Sequence, residues 1–121
     1  MKFTGICLIT KNVPALVDFY SRVLGVVAQG NDTHAELNTE GAQLTIFSVD
    51  GMEDMAPASM KDYGYGGFTI GFEVKDVDTE YDRLKALGVS FVKLPATHPW
   101  GARSVWFRDP DGNILDFFAN L

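Results

Sequence analysis

The chain nearly says the same thing twice. Asn12-Val13 opens a helical run that stops at Leu24-Gly25-Val26, and Asp76-Val77 opens another that stops at Leu87-Gly88-Val89. Both landmarks recur after about 64 positions, roughly half of the 121 residues, and a period that long marks two copies of one supersecondary unit. Paired strand-rich units commonly frame a groove, and a groove is a place for a small molecule.

Each copy reads as β-α-β-β-β. Residues 2–10 alternate, with Ile6 and Leu8 on one face and Gly5, Cys7 and Ile9 on the other, as a strand does. Asn12 can cap the next helix, and Pro14 falls in its first turn, where a missing N–H costs nothing. Val13, Leu16, Val17, Tyr20, Val23 and Leu24 make one apolar stripe, which Gly25 ends. Strands over 26–29, 34–38 and 43–49 complete the first copy. The second has a strand over 68–74, with Thr69, Gly71 and Glu73 sharing a face. Its helix is capped by Asp76, acidic in the first turn (Asp78, Glu80), basic later (Arg83, Lys85) and ended by Gly88. Val77, Tyr81, Leu84 and Leu87 form the buried stripe. Strands over 90–94, 103–108 and 113–119 follow, the first two separated by a long loop from Pro95 to Ala102.

Module one therefore spans 1–50, a linker 51–67 and module two 68–121. The linker holds Gly51, Pro57, Met52, Met55, Met60 and the run Tyr63-Gly64-Tyr65-Gly66-Gly67. It reads as a connection with at most a helical turn near 59–63, and a flap over the groove is its second reading.

A composition that is 46% hydrophobic and 12% aromatic supplies the core of a single globular domain. The net charge of −6 is spread over both halves with no basic patch, which excludes a nucleic-acid partner. The lone Cys7 permits no internal disulfide and fits a reducing compartment. No apolar run approaches the roughly 20 residues of a membrane span, and the N-terminus has no signal-peptide pattern. A cytoplasmic protein with no membrane partner is expected.

The pattern Asp18-Phe19-Tyr20 with Leu24-Gly25, then Val74-Lys75-Asp76-Val77-Asp78, then Pro99-Trp100-Gly101-Ala102-Arg103 leads into Phe107-Arg108-Asp109-Pro110-Asp111-Gly112-Asn113. Taken together, these residues resemble the vicinal oxygen chelate superfamily of glyoxalases, bleomycin-resistance proteins and extradiol dioxygenases. The resemblance spans essentially the whole chain. It implies an α+β fold of two tandem βαβββ modules forming a curled eight-stranded mixed sheet around a cleft, helices outside. It also implies a homodimer. Fold alone does not fix the chemistry, because such folds host several enzymes and pure binders.

In glyoxalase-like members, the resemblance implies, four inward side chains hold a divalent metal. Here those positions fall on Gly5, Thr69, Thr45 or Phe47, and Asp116, of which only Asp116 can ligate. One carboxylate cannot hold an ion that needs about three to four donors. His34, His98, Glu36, Glu73 and Cys7 lack ligand spacing; His34 reads as a strand residue near a turn and His98 as an exposed loop histidine. No metal and no cofactor are expected.

The inward faces would still carry Cys7, Gln43, Thr45, Phe47, Thr69, Glu73, Trp106, Asp116 and Phe118, an aromatic wall with a few polar groups. Trp100 and Arg103 would stand at its mouth, Arg103 either on a ligand carboxylate or paired with Asp109 or Asp116. The run 109–113 reads as a tight turn and not a metal loop. Cys7 reads as a buried small hydrophobe, since nothing near it would lower its pKa. The expected function is binding a planar or cationic organic molecule without metal. The rival is a lyase, isomerase or dioxygenase, metal-dependent or with Asp116 or Glu73 as general base.

Overall fold

Asn12 and Asp76 cap their helices as their placement predicts. Asn12 Oδ1 accepts the Ala15 N–H at 3.1 Å, and Asp76 Oδ1 accepts those of Asp78 and Thr79 at 3.0 and 3.2 Å. Each cap satisfies donors that have no intrahelical partner. The structure, a computed structural model, describes residues 1–64 and 67–121. In chain order its elements are β1 (Gly5–Thr10), α1 (Val13–Leu24), β2 (Ala28–Gly30), β3 (His34–Leu37), β4 (Gln43–Ser48), α2 (Val49–Met55), β5 (Thr69–Glu73), α3 (Val77–Ala86), β6 (Ser90–His98), β7 (Ala102–Arg108) and β8 (Ile114–Asn120). The fold is α+β, built from two tandem βαβββ modules. The chain divides into two compact units, Met1–Tyr63 and Gly64–Leu121, and the eight strands fall into two four-stranded sheets, one in each.

In the first unit the strand order is β1-β4-β3-β2, with β1 parallel to β4 and the other pairs antiparallel. Leu8, Leu44 and Ile46 turn toward α1, whose Leu16, Tyr20 and Val23 are buried against them. Removing each such side chain from water is worth about 1.5–3 kcal/mol. Gly25 ends α1 at φ 66°, the left-handed conformation that costs glycine nothing.

The second unit repeats this plan as β5-β8-β7-β6. Its core joins Leu84 of α3 to Val105, Phe107, Leu115 and Phe117, and the Phe107 and Phe117 rings meet edge to face at 5.0 Å. Tyr81, expected in the buried stripe, is only half-buried and packs on Phe91 at 5.0 Å.

Three expectations need correction. The first strand begins at Gly5, not Lys2. Residues expected to be irregular after Val49 open with a helix, α2. The Ser48 side chain, at the end of β4, caps it by accepting the Gly51 N–H at 2.9 Å. Beyond it the Glu53 carboxylate accepts the N–H groups of Ala58 and Met60, at 2.7 and 2.9 Å, and fixes the following turns. The expected loop from Pro95 is, as far as His98, the continuation of β6. Register shifts between Phe91 and Lys93 and between Lys93 and Ala96 let the strand absorb its proline and carry on. Of the proposed flap, Tyr65 and Gly66 lie outside the described residues. Among the described residues no helix is long and apolar enough to cross a membrane.

Candidate functional site

Strand parity and the two shifts in β6 build one polar surface. Ile70, Val105, Phe107, Leu115 and Phe117 turn toward α3, so the residues between them face the other way. Register then lays Gly71, Asp116, Trp106 and Lys93 side by side across β5, β8, β7 and β6. The next row holds Glu73, Phe118, Ser104 and Ala96. Phe91 pairs with Phe107 but Lys93 with Trp106, so β6 carries an extra residue between them that turns Lys93 onto the Trp106 face. The second shift turns His98, not Thr97, the same way.

The three polar side chains so gathered bond to one another. His98 Nε2 and Ser104 Oγ are 2.8 Å apart, and Lys93 Nζ lies 3.2 Å from that Nε2 and 3.3 Å from Ser104 Oγ. The Lys93 ammonium can only donate, to Ser104 Oγ and, in the tautomer that leaves Nε2 without a proton, to that nitrogen. Lys93 Nζ also stands 5.5 Å from the centroid of the Trp106 ring, in reach of its negative face. Trp100, 76% exposed, lies flat on His98 with centroids 4.4 Å apart.

Asp116 is held between opposing influences. Burial pushes its carboxyl above the ordinary value of 3.8, against the Trp106 indole N–H and the charges of Lys93 and His98, which favour ionisation. The indole N–H acts on the carboxyl, yet Trp106 Nε1 and Asp116 Oδ1 are both buried and neither makes a hydrogen bond of ordinary geometry among the described residues. Such atoms are uncommon in folded proteins.

Other sequence-selected residues lie apart from this cluster. Arg103 points to the α3 side of β7 and grips Asp78 through two bonds, Nε to Oδ2 at 2.9 Å and Nη2 to Oδ1 at 2.8 Å. Neither expected partner takes it: Asp109 bonds within its own turn, and Asp116 faces the opposite side of the sheet. The Arg103 guanidinium holds the Asp78 carboxyl below its ordinary value. Asp109 knits its turn: Oδ1 accepts the N–H groups of Asp111 and Asn113, and Oδ2 accepts the Asn113 amide, all at 2.9 Å. Thr69 and Glu73 are exposed at the two ends of β5.

In the first unit the corresponding face aligns Cys7, Thr45 and Glu36, with Phe47 beside His34 at 5.8 Å between centroids. Cys7 is exposed, not buried as expected; it lies on an outer strand, on the face opposite the buried Leu8. A shallow hollow of about 400 Å³ lies on the helix side, between α1 and the β2–β3 hairpin. None of the sequence-selected residues lines it. Sequence reasoning passed over Lys93 and Ser104 and read His98 as a loop residue. Only the bulges join them, and the alternation of residues 90–98 carries no sign of those.

The sequence profile of the Glyoxalase/Bleomycin resistance protein/Dioxygenase superfamily matches residues 2–117. The chain belongs to that superfamily. It is 27% identical over 128 residues to the uncharacterized protein YraH of Bacillus subtilis (strain 168), covering all of both chains. A glyoxalase/bleomycin resistance protein/dioxygenase from Nocardioides superposes with a TM-score of 0.83 at 28% identity, over 100% of this chain and 84% of that one. A family enzyme from Burkholderia phytofirmans PsJN superposes at 0.89 over the whole of both chains, with 19% identity, a likeness of fold.

Superfamily members that use a metal need several donors converging on one point. Here a Cβ added at Gly5 would collide with the Gln43 carbonyl oxygen, so no ligating side chain fits there in this register. The β5 neighbour of Asp116 is Gly71, which offers no donor. Among the described residues no three His, Cys, Asp or Glu side chains form a group that could hold an ion. The described residues at these positions supply no such donor set.

Proposed function

We propose that this superfamily member binds a small planar organic molecule without a metal, on the face of its second sheet turned away from α3. The observation that carries this reading is the adjoining pair of buried, partnerless polar atoms, Trp106 Nε1 and Asp116 Oδ1. Leaving a buried donor or acceptor unpaired costs about 1–3 kcal/mol. A ligand that supplies partners to both offsets that cost, which a random surface contact does not. Trp106 and Phe118 add aromatic surface, and covering a ring of about 150 Å² contributes a few kcal/mol. Micromolar affinity is within reach of such a set.

Calorimetric titration with flat heterocycles and basic aromatic antibiotics tests this. Saturable heat is expected from at least one class, with affinity about tenfold weaker in Trp106→Phe. No heat from any of them would count heavily against binding.

A second reading has one observation in its favour. The raised carboxyl of Asp116 suits a general base that takes a proton from an acidic C–H or O–H. Glu73, exposed at the end of β5, lacks the dry surroundings this needs. Deuterium exchange into a bound ligand, followed by NMR and lost in Asp116→Asn, would support catalysis; exchange persisting in that variant would remove Asp116 from the role.

A further inference from the structure

Lys93 bears on the charge of what this face can hold. Its ammonium already stands over the Trp106 ring, at 5.5 Å from the centroid, so a ligand cation seeking that ring would meet a like charge. Lys93 Nζ stands within hydrogen-bond distance of His98 Nε2 and Ser104 Oγ. Among the described residues no carboxylate forms an ion pair with Lys93. An ammonium carries three donors, so at least one is left over, and the indole N–H of its register partner Trp106 is unpaired as well.

At the other end of the row the sheet is bare. A Cβ placed on Gly71 would meet nothing nearer than Phe118 Cε1, at 3.7 Å. The result is a gap over β5 backbone, bounded on the β8 side by Phe118 and Asp116. Strands about 4.8 Å apart put Lys93 and Gly71 about 14 Å from each other along the row. A bicyclic ring and the reach of one lysine side chain span that distance.

We infer that this face takes a flat organic acid, its carboxylate held by the Lys93 ammonium and the Trp106 N–H and its ring lying over Gly71 against Phe118. The inference rests on the binding reading above and adds the chemical class of the ligand. Asp116 lies in the same row; burial raises its carboxyl above the ordinary value, and an approaching ligand carboxylate raises it further instead of meeting a fixed charge.

Three matched probes separate the possibilities: 2-naphthoate, 2-naphthamide and 2-naphthylmethylammonium. The reporter is the Trp106 indole N–H resonance of the ¹⁵N-labelled protein, assigned by its loss in Trp106→Phe. Naphthoate is expected to shift it saturably and to bind at least about tenfold tighter than the ammonium probe. Lys93→Met should weaken naphthoate by about ten- to a hundredfold and leave naphthamide nearly unchanged. Gly71→Val, a favourable strand substitution with room for its Cβ, should keep the fold and weaken all binding probes. If the ammonium probe binds as tightly as naphthoate, or Lys93→Met does not matter, the acid inference falls and the binding reading stands. If Gly71→Val binds naphthoate like the parent, the ring placement is wrong. If no probe moves Trp106 at millimolar concentration, the inference falls together with the reading beneath it.

Discussion

At Asp116, burial and neighbouring charge pull a single proton in opposite directions, and burial wins. The folded chain therefore holds that proton more tightly than the unfolded chain, whose carboxyl titrates near 3.8. The stabilisation this gives is fully present below 3.8 and is lost as pH rises through the higher folded value. Asparagine has the same shape and cannot ionise. Asp116→Asn is thus expected to melt with the parent near pH 3 and above it near pH 7, as thermal unfolding at the two pH values will read. A lower melting temperature for the variant at neutral pH would show that the carboxylate is stabilised by the fold. The Asp78–Arg103 pair responds to pH in the opposite sense, because the Asp78 carboxyl is lowered, but it is present in both proteins and cancels from the comparison.

At the level of elements, α2 depends on side chains more than on propensity. Its seven residues include Gly51, and none of them is fully buried. Ser48 holds its start, and Glu53 reaches past its end to two backbone N–H groups. Glu53→Ala should cost about 1–2 kcal/mol and speed amide exchange at Ala58 and Met60 first, measured by hydrogen–deuterium exchange. Unchanged protection at both amides would mean the turns hold without it. The same helix shows what a sequence can and cannot disclose. α1 and α3 were legible because cap, apolar stripe and terminating glycine all lie within one stretch of chain. α2 was not, because its cap doubles as the last residue of a strand and its clamp acts over five and seven residues. The site follows the same division. Trp106, Asp116 and Phe118 were legible from the alternation of β7 and β8, which is regular. Lys93 and His98 were not, because each lies beyond a bulge that resets the alternation of β6, and Ser104 had no visible partner without them.

On the scale of the whole molecule, two sheets of four strands leave outer strands: β1 and β2 in the first, β5 and β6 in the second, among the described residues. Open edges invite company. We propose a homodimer, so light scattering should return about 27 kDa, twice the 13.3 kDa chain; a single-chain mass at about 50 µM would refute it. The bulges of β6 bear on where such a partner can sit. At nine residues β6 is the longest strand, and it shows Val92 and Leu94 to solvent. A straight outer ribbon with that greasy edge would zip onto its counterpart in another copy, and then onto a third. Two interruptions and an imide at Pro95, which has no hydrogen to give, spoil the ladder such a growing stack would need. The irregularity that swings Lys93 inward thus also closes this flank to polymerisation, and leaves pairing between copies to the other rims.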